Sequence, residues 1–247
     1  MNPRALRLLL LTATALVAPA LARAESATAP VPRDAAWMKR HEEFVAIAKR
    51  GDIDVLFLGD SITDFWRRDD KKSGGRKIWD ANFAPLKAAN FGISGDRTQH
   101  VLWRLENGEL EGISPKAVVL MIGTNNTGLE NDRKTARNTP AEVAEGVTAI
   151  VKKLRAALPH AKILLLAIFP RGEKADHPQR LQIAQINAVI AKLDDRKNVR
   201  YLDIGPRFLM ADGTLPRDFM PDLLHPGELG YEVWADAIKA PLAALLK

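Results

Sequence analysis

Cysteine is absent from all 247 residues. That excludes a disulfide framework, a thiolate nucleophile and any Cys-ligated zinc or iron–sulfur centre. The chain also lacks a P-loop, a dinucleotide-spaced glycine motif and a His-x-x-x-His pair, so phosphate-binding and zinc signatures are missing. There is no internal repeat and no low-complexity tract. Only one long apolar run occurs, from Leu8 to about Ala22, and Pro19 interrupts it. No other segment has the length to span a membrane.

That run looks like an address. Arg4 and Arg7 precede it, and Ala22-Arg23-Ala24 follows with small residues at the positions a signal peptidase reads. Residues 1–24 are therefore expected to be a secretory signal cleaved after Ala24, with a retained anchor as the lesser reading. No lipobox cysteine accompanies it, which excludes a lipoprotein. The expected location is periplasmic or secreted. The formal charge of +6 is 36 − 30 over the whole chain. Removing Arg4, Arg7 and Arg23 leaves 33 − 30 = +3. So small an excess is no argument for a nucleic-acid partner.

What remains is 47% hydrophobic and 27% charged over the full sequence, a soluble globular balance. Its length suits one α/β domain, and a chain this size buries roughly 70–75% of its unfolded surface. Residues 25–34, with Pro30 and Pro32, read as a flexible leader, and 35–247 as the domain. Short apolar runs at 53–59, 88–91, 116–123, 162–168 and 199–204 read as buried parallel strands. Helical patterns lie at about 35–49, 96–106, 140–158, 178–195 and 227–246, with Thr139 and Pro140 suited to a helix start. The mixed charges of 67–77 read as a solvated loop or a lid. Alternating strands and helices imply a parallel sheet covered on both faces. Ligands then bind beyond the carboxyl ends of the strands.

The strand ends carry the chemistry. Strand one runs into Gly59-Asp60-Ser61-Ile62-Thr63, placing the Ser61 hydroxyl at the sheet edge and its N–H at a helix start, where negative charge is favoured. The plain alternative is a helix cap by Asp60 or Ser61. Strand two leads to Asn90-Phe91-Gly92-Ile93-Ser94-Gly95-Asp96. There the Gly92 N–H is a candidate oxyanion donor, and Ser94 lacks the glycine at 96 that a nucleophile elbow needs. Strand three leads to Gly123-Thr124-Asn125-Asn126, where the Asn125 amide is a second donor or simply part of an Asx-turn. Asp60 and Asn126 are candidate substrate contacts. Near the end, Asp222-Leu223-Leu224-His225-Pro226 offers an imidazole to take a serine proton and a carboxylate to orient it. As a lone feature that pair is equally a cap or half a metal site. Asp203 with Asp222 and His225 makes no supported metal set. His41, His100, His160 and His177 read as surface or helix-face residues.

Those four blocks, in order, resemble the SGNH (GDSL-type) hydrolases over about residues 37–245. The matching positions are Ser61, Gly92, Asn125 and His225. The stretch from Asn90 to Leu110, with Gly123-Thr-Asn-Asn126, is most similar to the branch related to platelet-activating-factor acetylhydrolase catalytic subunits. Ile62 stands where the family usually has leucine. The resemblance implies a flavodoxin-like, three-layer α/β/α sandwich with a five-stranded parallel sheet. It implies hydrolysis of esters through an acyl-serine without metal or cofactor. By the same resemblance Ser61 is the nucleophile, His225 the base and Asp222 its partner. The Ser61 N–H, the Gly92 N–H and the Asn125 side chain form the oxyanion hole. Activity should then rise with pH as the base loses its proton.

The expected substrate is a short acyl ester, acetyl foremost, on carbohydrate or a small molecule. The rival is a phospholipid or lysophospholipid, for which Phe65, Trp66, Trp79 and Trp103 would form an apolar rim if they were not core. A noncatalytic glycan-binding module and a flavodoxin-like cofactor protein are lesser readings, the second because Asp60 disfavours phosphate. Self-association is left open.

Overall fold

The computed structural model describes residues 25–70 and 73–247. The expected signal segment and the Ala24 cleavage point lie outside the described residues, as do Lys71 and Lys72 of the charged loop.

Five strands form one sheet in the order β2-β1-β3-β4-β5. They are β1 (Val55–Gly59), β2 (Ala88–Gly92), β3 (Ala117–Met121), β4 (Lys162–Leu166) and β5 (Val199–Leu202), and every neighbouring pair is parallel. Their residues explain the burial. Alternate side chains of a strand enter opposite layers, and here both layers are apolar. Leu56 and Leu58 join one core, whereas Val55 and Phe57 join the other. The first core is closed by α1 (Ala35–Arg50), α4 (Thr98–Glu106), α5 (Pro140–Ala157) and α6 (Pro178–Ile190). The second is closed by α2 (Ser61–Asp64), α3 (Arg76–Asn82) and α7 (Glu228–Leu245). The result is the three-layer sandwich expected from the sequence.

Local signals fix the helix ends. Thr139 caps α5, its hydroxyl accepting from the Glu142 N–H while the Glu142 carboxylate accepts from the Thr139 N–H at 2.8 Å. Such a reciprocal pair satisfies donors that a helix start otherwise leaves orphaned. One helix was not legible: α3 spans seven residues, too short to display a 3.6-residue period, and begins inside the charged run, whereas α2, four residues long, starts at Ser61 behind an Asp60 cap, as the sequence suggests.

Two expectations fail here. The leader is docked rather than loose. Ala27 is only 1% exposed, and its carbonyl accepts from the Thr98 hydroxyl at 2.7 Å. Asn138 donates to the Glu25 carbonyl at 2.9 Å. Ala27 is the leader's one buried side chain, and its carbonyl and that of Glu25 anchor the segment beside α4 and α5. His41 and His100 lie on helix faces, as one half of the expectation has it, but on buried ones rather than at the surface. His41 Nδ1 lies 2.9 Å from Glu109, and Glu109 accepts from the fully buried Arg104 at 2.6 Å. Arg104 Nε sits 2.9 Å from Asp96, whose other oxygen accepts from the Trp37 indole at 2.7 Å. Burial works against the Arg104 charge, but Glu109 and Asp96 outweigh it and raise its pKa.

Candidate active site

The order β2-β1-β3 makes β1 the point where connections leave toward both sheet edges, the place beyond the strand ends where open α/β sheets bind their ligands. Ser61 is the first residue of α2, directly after β1. Asp60 caps that helix, its Oδ1 accepting from the Ile62 N–H at 3.0 Å. Tyr231 of α7 pins the same turn by donating its hydroxyl to the Ile62 carbonyl at 2.7 Å.

The hydroxyl of Ser61 lies 2.8 Å from His225 Nε2. On its other side, His225 Nδ1 lies 2.6 Å from Asp222 Oδ2. Asp222 Oδ1 accepts from the backbone N–H groups of Leu224 at 3.0 Å and His225 at 2.7 Å. This tight turn is closed by Leu223 in the left-handed region, at φ 62°, a conformation costly for a branched residue. Phe65 stacks on the imidazole with centroids 4.7 Å apart. Burial pushes the Asp222 pKa up, but the bonds from the His225 side chain and backbone outweigh it and hold it below the ordinary carboxylate range. A hydroxyl, imidazole and carboxylate in this line can shift a proton off the hydroxyl while the cation that forms stays paired.

The donors for a developing oxyanion are arranged less simply. The Ser61 N–H stands at the first turn of α2, where helical N–H groups have no partner within the helix. Asn125 donates one amide hydrogen to the Asp96 carbonyl at 2.9 Å, which leaves the second. Gly92 departs from its expected role: its N–H donates to Asn90 Oδ1 at 2.9 Å. Its lack of a side chain serves packing instead, since a Cβ there would lie 2.4 Å from the Asp64 nitrogen. Gly95, on the same loop, has φ 83° and an N–H with no acceptor among the described residues. The sequence signal for it was the second glycine of Gly92-Ile-Ser-Gly95.

Two candidate substrate contacts are corrected by burial. Asp60 is 1% exposed and faces its own helix. Asn126 is fully buried, with its oxygen on the Thr98 N–H at 3.0 Å and its nitrogen on Asn138 Oδ1 at 2.9 Å. Neither can reach a ligand from these positions. Ser94 is also structural, since its hydroxyl donates to Asp64 at 2.6 Å. Trp66 is core, Phe65 lies against His225, and Trp79 and Trp103 are half-buried. Arg171, after β4, was missed. Its guanidinium bonds Thr124 and is drawn electrostatically to both Asp60 and Asp222, though burial lowers its pKa overall. Among the described residues, no group of three or more His, Cys, Asp or Glu is placed to hold a metal.

A parallel α/β/α sandwich with this strand-end cluster has the form of a hydrolase. Residues 57–233 match the model of the GDSL-like lipase/acylhydrolase family, and the chain belongs to that family. It is an esterase. It is 40% identical to the platelet-activating factor acetylhydrolase IB subunit alpha1 of Homo sapiens over 217 residues, 87% of each chain. It is 42% identical to the alpha2 subunit of Gallus gallus, over 78% of this chain and 77% of that one. Among solved structures, a GDSL-like lipase from Bacteroides thetaiotaomicron matches with a TM-score of 0.63 at 19% identity, covering 83% of this chain and 97% of that one. An acetylxylan esterase from Geobacillus stearothermophilus matches with a TM-score of 0.58 at 21% identity, covering 80% and 96%. At those identities the structural matches speak for the fold.

Proposed function

We propose that the protein is an exported serine esterase that removes short acyl groups, acetyl foremost, from carbohydrate through an acyl-Ser61 intermediate. The observation that carries this reading is the hydrogen-bonded line Ser61–His225–Asp222. In it, Ser61 Oγ attacks the ester carbonyl and gives its proton to His225 Nε2. Asp222 holds the opposite N–H and stabilises the imidazolium. The carbonyl oxygen, now anionic, accepts from the Ser61 N–H and the Asn125 amide, with the Gly95 N–H taking the part expected of Gly92. His225 then protonates the departing alcohol, and water repeats the sequence on the acyl-serine. Acetyl is favoured because relatives of both kinds carry acetyl esterase names. Carbohydrate is favoured by the expected export signal. Among the described residues no helix is long and apolar enough to cross a membrane.

Intact-mass detection of a fluorophosphonate adduct on Ser61, together with loss of ester hydrolysis in Ser61→Ala, tests the mechanism. Unchanged hydrolysis by that variant refutes it. N-terminal sequencing of the exported protein tests cleavage after Ala24. The 40% identity to a platelet-activating factor acetylhydrolase subunit favours a second reading, deacylation of a phospholipid. Comparing acetyl release from acetylated xylan with release from a 2-acetyl phospholipid decides between them.

A further inference from the structure

Beside the oxyanion donors Asn125 and Gly95 lies a polar recess of about 290 Å³ whose charged side chains the proposed chemistry leaves unused. Three arginines line it together with Asn125 and Gly95: Arg33 from the docked leader, Arg97 before α4 and Arg137 before α5. Their bonding is uneven. Arg97 is committed, both guanidinium ends meeting Glu130 at 2.6 Å. Arg33 spends only Nη1, on the Ser94 carbonyl at 2.9 Å and on Asp96 at 3.3 Å. Arg137 donates Nη1 to the Asn125 carbonyl at 2.8 Å, and its Nε is buried without a hydrogen bond. The Nη2 groups of Arg33 and Arg137 have no acceptor among the described residues. Both side chains are reachable, at 28% and 20% exposure.

The acids around the recess are engaged elsewhere or exposed, and Glu109 serves the buried Arg104. Glu130 serves Arg97 first and sits 3.4 Å from Arg137 Nε. Asp96 is shared with the buried Arg104. Glu25 is 58% exposed and lies toward His100 and Gln99. His100 adds no positive charge, because burial and the three surrounding arginines Arg33, Arg97 and Arg104 lower its pKa to about 3. Fork-shaped donors with free N–H groups, partly desolvated and crowded by like charge, are matched by an oxyanion of two or three oxygens.

We propose that this recess is an anion-binding subsite, and that the preferred substrates are short-acyl esters whose alcohol carries a carboxylate, phosphate or sulfate. The inference rests on the Ser61 esterase reading. An acetyl group carries no acid, so in an acetyl ester the anion belongs to the alcohol. Because Asn125 belongs to both places, an anion held here lies close beside the scissile carbonyl, where positioning is worth most.

The test uses matched esters. Acetylated glucuronic acid is compared with acetylated glucose, and acetylglycerol phosphate with acetylglycerol. The wild-type ratio of kcat/KM, anionic over neutral, is expected to exceed about tenfold in at least one pair, the size of one or two charge-assisted hydrogen bonds. That ratio should fall at least tenfold in Arg33→Gln and in Arg137→Gln, and stay put in Lys239→Gln, a change on the exposed face of α7. The uronate and phosphate arms distinguish an acidic sugar from a phosphorylated alcohol, and a preference in either supports the subsite. A wild-type ratio near or below one in both pairs overturns it, as does a ratio untouched by both arginine changes. Calorimetric binding of glucuronate and inorganic phosphate to the Ser61→Ala protein keeps the two readings apart. Binding lost in Arg33→Gln sustains the recess even if hydrolysis fails, and no binding of either anion sinks it. Absence of Ser61-dependent cleavage of p-nitrophenyl acetate counts against the esterase reading alone.

Discussion

Replacing Asp60 by Asn should change how the stability of the protein depends on pH. Asp60 Oδ1 caps α2, but Oδ2 is buried without a hydrogen bond. Burial raises the pKa from the ordinary 3.8 to about 7; the Ile62 N–H opposes the rise, the negative Asp96 adds to it, and Arg171 opposes it weakly. The folded-state value lies above the unfolded one, so the folded protein retains a proton that the unfolded chain has released. The stability this confers is present below about pH 4 and is lost as pH rises toward about 7. The gap between 3.8 and about 7, at about 1.4 kcal/mol per decade, corresponds to about 4 kcal/mol. Asn keeps an acceptor for the Ile62 N–H and cannot ionise. Measured by urea unfolding, Asp60→Asn should therefore gain up to about 4 kcal/mol on the wild type between pH 4 and pH 8. Asp96, raised to about 6 by its own burial despite Arg104, titrates in both proteins and largely cancels. A difference that stays flat across this range would refute the reasoning. A variant that loses ground at high pH would show that attraction to Arg171 outweighs burial.

Asp222→Asn keeps the shape of the turn but leaves His225 with the wrong tautomer, so kcat should fall about 10⁴-fold with little change in KM; steady-state kinetics on p-nitrophenyl acetate reads this. Asn125→Ala removes an oxyanion donor and should cost about 10²–10³ in kcat in the same assay. Gly92→Ala should destabilise by about 2–3 kcal/mol in thermal unfolding, because the new methyl meets the backbone of Asp64 and Thr63. Arg104→Met leaves Asp96 and Glu109 buried without their cation, and urea unfolding should show a loss of about 3–5 kcal/mol.

Much of this was legible because the information is local. Val55–Gly59 and Ala117–Met121 are buried on both faces, and such strands read as short unbroken apolar runs. Ser61 and Asn125 stand in polar sequence directly after strands, which is where the fold puts ligands, and His225 lies in an Asp-x-x-His turn just before α7. What was missed is held together by distant partners. His41 finds Glu109 68 residues away, and no local period marks that meeting. Asn126 looks like its neighbour Asn125 in sequence. Only the arrival of Thr98 and Asn138 tells a buried structural amide from one free to donate. Gly92 and Gly95 lie three residues apart, and the difference between them is the Asn90 side chain folding back onto the first. The leader has the composition of a linker, yet Ala27 is buried and the Ala27 and Glu25 carbonyls are held by Thr98 and Asn138.

The buried ions behind this loop have a structural logic that stability does not supply. Removing an arginine and two carboxylates from water is expensive, and well-packed apolar residues often do as well or better in that place. What apolar residues cannot do is hold carbonyl oxygens. Arg104 donates to the Phe91 carbonyl at 3.0 Å and reaches the Gly59 carbonyl at 3.5 Å, so one guanidinium ties together the ends of β2 and β1. Through Asp96 it also fixes the residue whose carbonyl receives the Asn125 amide. Ser61 follows Gly59 by two residues, so the nucleophile and one oxyanion donor are referenced to the same buried cation. A misplacement of about 1 Å can cost about 10²-fold in rate. On that scale the cluster acts as a positioning device, and Arg104→Met should lower kcat on whatever fraction of the protein stays folded.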